Sequence, residues 1–160
     1  MSKQHTFDLP ISLHSGPYIQ LEHSLRSEIA AISPFVDKLM LLITKCRCVP
    51  GNEGDVEIAL REALANAIIH GNHEDPRKHI YVSCRCELYE LSISIRDEGN
   101  GFDINKVADP TSPENIKSDH GRGIYMMKAL MDEVRFEEAG TVVHMRKTAG
   151  NNRHAMLTEL

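Results

Sequence analysis

Residues 79–96 constrain the fold more than any other stretch. Residues 79–88 alternate Ile80, Val82, Cys84, Cys86 and Leu88 against Tyr81, Ser83, Arg85 and Glu87. A tight turn at Tyr89-Glu90 follows, and Leu91, Ile93 and Ile95 then alternate with Ser92, Ser94 and Arg96. Successive side chains of a strand point to opposite faces, so this alternation predicts a hairpin with one buried and one wet face. The sheet is therefore expected to be covered on one side only, by helices. A second hairpin is predicted from residues 134–137 and 141–147, turning at Ala139-Gly140.

Two stretches supply those helices. In residues 27–46 the apolar positions Ile29, Ile32, Val36, Leu39, Met40 and Ile43 follow a helical repeat. Ser27 suits the N-cap, Glu28 suits the dipole of the first turn, and Pro34 either kinks the helix or marks its true first turn. A turn at residues 49–52 leads to a second helix, 55–71, reading DVEIALREALANAIIHG. Its stripe is Val56, Ala59, Leu60, Ala63, Leu64 and Ala67, and Gly71 is a good C-terminal stop. Glu62, Asn66 and His70 stand four residues apart, along the margin of that stripe. Such a row can face a cleft, or it can be a partly solvated helix edge.

Composition narrows the class. A chain of 160 residues suits one domain. Its expected organisation is an N-terminal arm or edge strand over 1–17, a single domain over 18–148, and a polar tail over 149–160. There is no apolar run of transmembrane length, and residues 1–16 alternate too much for a secretory leader, so a cytoplasmic protein with no membrane partner is expected. The net charge of −5, without a basic block, disfavours direct contact with nucleic acid. Cys46-Arg-Cys48 and Cys84-Arg-Cys86 have one-residue gaps, where paired zinc ligands usually have two to four. Cys84 and Cys86 share parity with Ile80 and Val82, and read as small apolar residues of a buried strand face.

Two glycine motifs follow the first hairpin. Asp97 has the parity of Leu91, Ile93 and Ile95, so its carboxylate points to the helix-covered face. A buried carboxylate is costly without a donor. A bound ligand could be that donor; alternatively Asp97 simply begins the turn Asp97-Glu-Gly99-Asn-Gly101. Gly99 and Gly101 allow a sharp turn and close approach to a flat ligand. Residues 102–120, with Pro110 and Pro113, have the look of a lid. Then His120-Gly121-Arg122-Gly123 opens a helix predicted over 124–133, whose apolar face is Ile124, Met127, Leu130 and Met131. Glycines at a helix start expose backbone N–H groups to an anion. The motif is neither a dinucleotide fingerprint nor a GxxxxGK[ST] phosphate loop.

ExxxNxxxH on a helix, DxGxG after a strand and GxG opening a helix stand here in order. Together they resemble the nucleotide-binding boxes of the GHKL ATPase superfamily, which includes histidine kinases and gyrase B. Within it, GRGIYMMKALMDEVRF looks most like the anti-sigma-factor serine kinases. The resemblance covers roughly residues 19–147. It implies the Bergerat ATP-binding fold, an α+β two-layer α/β sandwich with a mixed, mostly antiparallel sheet covered on one face by helices. It implies ATP and Mg²⁺, with Glu62 as general base, Asn66 as Mg²⁺ ligand and His70 near the phosphates. Asp97 would accept from the adenine amino group, Gly99 and Gly101 would flank the ring, and Gly121, Arg122 and Gly123 would cradle phosphate. It implies a STAS-domain anti-anti-sigma protein as substrate, a sigma factor as second partner, and a homodimer. A non-catalytic ATP-binding partner-switching module is the alternative. A detached histidine-kinase catalytic domain fits poorly, because there is room upstream of Glu62 for only about one helix.

Overall fold

The computed structural model describes residues 11–12, 18–107 and 119–150. Its strands are β1 (Ile11–Ser12), β2 (Tyr18–Arg26), β3 (His79–Glu87), β4 (Glu90–Arg96), β5 (Glu133–Glu137) and β6 (Val142–Thr148). Its helices are α1 (Ile32–Cys46), α2 (Glu53–Asn66) and α3 (Asp119–Leu130). The strands form one sheet in the order β1-β2-β3-β4-β6-β5. Every pairing among the described residues is antiparallel, so no parallel pair interrupts it.

The register explains the buried face. Leu21 lies opposite Cys84, Cys84 opposite Ile93, and Ile93 opposite Met145. All four are buried, as is the neighbouring row through Val82, Ile95 and Val143. Partners across an antiparallel pair share a face, so one apolar row per register step builds a continuous floor. Leu39, Ile43, Leu60, Leu64 and Ile68 close on it from the helices and are fully buried. Each such side chain contributes about 1.5–3 kcal/mol relative to exposure. The opposite face carries Ser83, Ser92, Ser94, Arg85 and Arg96 and is covered by no described helix. The two-layer α+β architecture is thus the one the alternation required.

Three local expectations change. Leu88, assigned to the strand by parity, is exposed; β3 ends at Glu87, and Leu88-Tyr89 make the hairpin loop with Tyr89 at φ 66°. Ser27 is not a helix cap, because β2 runs to Arg26 and Ser27 is still leaving the sheet. It is buried and donates its N–H to the Lys78 carbonyl at 3.1 Å. A 3₁₀ turn, Ile29–Ala31, comes next, and Pro34 falls in the first turn of α1, where a missing N–H costs nothing. Ala149, placed in the tail by composition, is buried and donates to the Tyr89 carbonyl at 2.9 Å. Residues 1–10, 13–17 and 151–160 lie outside the described residues, with most of the expected arm and tail.

The four thiols are free; Cys46 is half-buried and Cys48, Cys84 and Cys86 are buried. Contact with Cys86 and burial push the Cys48 thiol well above its ordinary range. It behaves as a small apolar side chain. Among the described residues, no helix is long and apolar enough to cross a membrane.

Candidate functional site

The site is built on α2. Glu53 and Asp55 in its first turn suit the helix dipole. Val56, Ala59, Leu60, Ala63 and Leu64 bury one face, which fixes the rotation of the helix. Glu62 and Asn66, one turn apart, are then half-buried at the margin of that face. At Ala67 the helix widens into a π-helical turn, Ala67–Gly71, closed by the Asn72 N–H on the Ala67 carbonyl at 2.8 Å. The wider turn rotates His70 out of the straight row. His70 stands at the mouth of the cleft, and partial burial with the nearby His73 holds its imidazole below the ordinary value.

Close packing against the turn after β4 accompanies the widening. A Cβ on Gly71 would lie 2.4 Å from the Asp97 carboxyl carbon, and one on Gly99 would lie 2.1 Å from the Gly71 carbonyl oxygen. Only glycine fits either place. Asn72 clamps the same junction. It is fully buried, donates Nδ2 to the His79 carbonyl at 3.0 Å, and accepts the Glu98 N–H on Oδ1 at 2.7 Å. Sequence reasoning passed Asn72 over; a lone Asn after a helix-stop glycine reads as loop.

Asp97 begins the turn and still presents its carboxylate to the slot. Its N–H extends the β4–β6 ladder to the Thr141 carbonyl at 3.0 Å. Its Oδ1 accepts the Gly99 N–H at 2.8 Å, which starts the turn. The carboxylate still faces the cleft, and burial raises its pKa against the opposing effect of the Gly99 N–H. Gly101 has φ 77°, and a Cβ there would lie 1.9 Å from the Ala139 carbonyl oxygen. The Phe102 N–H donates to that same carbonyl at 2.8 Å.

The third element differs from expectation. α3 begins at Asp119, so Gly121, Arg122 and Gly123 lie within its first turns instead of ahead of it. Glycine disfavours a helix interior by about 1 kcal/mol against alanine, and packing overrides that here. A Cβ on Gly123 would lie 2.9 Å from Glu62 Oε2 and 3.2 Å from Asn66 Nδ2. The missing side chain lets the α3 backbone reach the carboxylate and amide of α2. At the other end of α3, Lys147 Nζ donates to the Leu130 carbonyl at 2.6 Å. Residues 108–118, most of the expected lid, lie outside the described residues.

Between these elements runs a slot of ≈ 30 Å³ with Asn66, His70, Asp97 and Thr141 on its walls and Ile95, Met127 and Val143 at its base. Phe102 and Phe136, edge to face at 5.5 Å, also line it. Asn66 Nδ2 is buried with no partner among the described residues. A buried amide with an unsatisfied atom is costly unless a polar ligand meets it. The unpartnered N–H of Asn66 suits a hydrogen-bond acceptor at that end of the slot, and the carboxylate of Asp97 suits a donor at the other.

A family model described as "Histidine kinase-like ATPase domain" matches residues 25–147. The chain belongs to the histidine kinase-like ATPase family. The "Anti-sigma F factor" of Bacillus cytotoxicus is 33% identical over 149 residues, covering 89% of this chain and 94% of that protein. The "Anti-sigma F factor" of Oceanobacillus iheyensis is 34% identical over 106 residues, 62% of this chain and 71% of that one. The "Serine-protein kinase RsbW" of Bacillus licheniformis is 39% identical over 108 residues, 62% and 66% of the two chains. Within the histidine kinase-like ATPases, this chain sits in the anti-sigma-factor serine-kinase branch. The family match opens inside β2 and ends inside β6, so β1 lies outside it.

Proposed function

We propose that the slot binds ATP with Mg²⁺ and that the chain is an ATP-dependent protein serine kinase of the partner-switching type. The observation that carries this is the junction of Glu62, Asn66 and Gly123. There a carboxylate and an unsatisfied buried amide meet the glycine-bare start of a helix. Mg²⁺, held by the Asn66 carbonyl together with phosphate oxygens, would neutralise charge on the transferring group. Glu62 takes the proton of the incoming serine hydroxyl, from a position one helical turn from Asn66. The backbone of Gly121 and Gly123, near the start of α3, with Arg122 beside it, faces the phosphates, and His70 stands near them.

At the other end the free lone pairs of Asp97 accept from the exocyclic amine of adenine. Guanine has a carbonyl in that place and is rejected. Gly99 and Gly101 hold the turn that flanks the ring. A slot of ≈ 30 Å³ has room for a water or two, so the ring enters by parting Phe102 and Phe136. The substrate is a STAS-domain anti-anti-sigma protein, and in the alternate state a homodimer of this cytoplasmic chain holds a sigma factor. The names of the relatives, two anti-sigma factors and a serine-protein kinase, support this reading.

The test is transfer of label from γ-labelled ATP to serine on a co-purified STAS protein. Glu62→Gln should bind ATP within about threefold of wild type and lose about 10²–10⁴-fold in transfer rate. Wild-type transfer by this variant would remove Glu62 from the base role. ATP binding without transfer to any STAS protein would leave a non-catalytic switching module.

A further inference from the structure

The turn between β5 and β6 runs against the preference of its residues. Glu138, Ala139 and Gly140 have φ of 49°, 56° and 89°. The left-handed region is unfavourable for L-residues and open to glycine, so Glu138 and Ala139 are strained in succession. Such strain persists only where the surroundings hold it in place. The backbone bonds of this turn show what it supports. The Glu138 carbonyl accepts from the Thr141 N–H at 3.3 Å and from Thr141 Oγ1 at 2.9 Å. The Ala139 carbonyl takes the Phe102 N–H, and the Thr141 carbonyl takes the Asp97 N–H. The turn thus carries the backbone of Asp97 and of Phe102, both on the walls of the slot.

A side-chain anchor for the turn lies on the wet face of the sheet. Arg96 has the parity opposite to Asp97 and stands on that face. Its Nη1 and Nη2 donate to the two carboxylate oxygens of Glu138, the Nη2 bond at 2.8 Å. Both side chains are exposed, and neither lines the slot. An exposed ion pair commonly contributes little, and a bidentate guanidinium–carboxylate pair is the exception. The cross-strand partner of Arg96 is Val142, so the guanidinium passes its own rung of the ladder to reach Glu138. It ties the residue before Asp97 to the residue before Ala139. We propose that Arg96 and Glu138 are positioning residues for the Asp97 end of the slot. Their pair holds Glu138 in the left-handed conformation. That sets the Ala139 and Thr141 carbonyls, and through them the Asp97 carboxylate and the turn at Gly101.

The effect on nucleotide rests on the ATP reading of the slot; the effect on backbone geometry does not. A positioning role differs from plain stabilisation in two ways. Loss of the pair loosens the Asp97 end and leaves Glu62, Asn66 and Gly123, packed between α2 and α3, as they are. The need for Arg96 also disappears once the strain at residue 138 is removed. Lysine replaces arginine poorly here, because one compact ammonium cannot match both carboxylate oxygens.

In the ligand-free protein, Arg96→Ala should speed hydrogen exchange at the Asp97 and Phe102 amides by about tenfold or more, with Ile93 in the middle of β4 unaltered. The same variant should bind ATP about tenfold more weakly, yet keep its phosphotransfer rate at saturating ATP. Arg96→Lys should recover only part of that affinity. Glu138→Gly removes the pair and the strain together, so adding Arg96→Ala to it should change ATP affinity by less than about twofold. Unchanged exchange at Asp97 and Phe102 in Arg96→Ala overturns the proposal. So does a loss in saturated rate as large as the loss in affinity, which marks general loosening, or a full tenfold effect of Arg96→Ala on top of Glu138→Gly. Wild-type protein that binds no ATP overturns the ATP reading instead, and the exchange measurement still decides the proposal.

Discussion

The two ends of the cleft use glycine in different ways. At the Asp97 end, backbone meets backbone. Positions on Gly99 and Gly101 where a Cβ would go lie 2.1 Å and 1.9 Å from carbonyl oxygens. Asn72, itself fully buried, pins the same region through two hydrogen bonds. At the α3 end, backbone meets side-chain tips: the nearest atoms to Gly123 are Glu62 Oε2 and the Asn66 amide. A carbonyl within a pinned turn cannot retreat, whereas a carboxylate can swing. One end is fixed by construction, and the other can adjust to a ligand and to the step it undergoes.

Three substitutions would break or sharpen that contrast. The largest effect is expected for Gly101→Ala, which combines a 1.9 Å overlap with φ 77°. It should remove about 3 kcal/mol or more of unfolding free energy, the upper range for single changes, as read from urea denaturation. Near-wild-type stability would show that the turn yields and the contrast is false. Gly123→Ala comes next. Alanine in a helix interior gains about 1 kcal/mol, against a 2.9 Å contact that a carboxylate tip can relieve. Stability should change by no more than about 1 kcal/mol. Displacing Glu62 should still slow phosphotransfer by about a hundredfold, and a normal rate would place the reacting groups elsewhere.

The smallest effect is a pH dependence. Burial raises the Asp97 pKa, and the ionised carboxylate is the stronger acceptor for the adenine amine proposed to meet it. ATP affinity should therefore fall as pH drops through that raised value, and Asp97→Asn should bind about tenfold more weakly with no such dependence. The stability sign is opposite. A carboxyl with a raised folded-state pKa contributes stability below its ordinary value and loses it as pH rises through the folded one. Calorimetric titration and thermal melts across the acid range read both curves.

Much of this arrangement was legible in the residues. Strand parity located the buried face and aimed Asp97 at it, because period two leaves no choice once one face is apolar. Four-residue spacing put Glu62 and Asn66 on one margin of α2. The π turn was not legible, since it accompanies contacts of Gly71 with Asp97 and Gly99, far along the chain. For the same reason the start of α3 was misplaced: local propensity reads two glycines as a helix boundary, and only the packing against α2 keeps them inside. Asn72 and Ser27 were missed or misassigned because each is defined by a long-range partner, His79 and Glu98 for one and Lys78 for the other.

The thiol arrangement has a practical consequence. Three cysteines are sealed in the core between α1 and β3, and the fourth is half-covered at the end of α1. Titration with a coloured thiol reagent therefore counts molecules that have opened, with at most one fast site in the intact molecule and four in the unfolded chain. The protein carries its own gauge of integrity, readable in a cuvette without any label or engineered reporter.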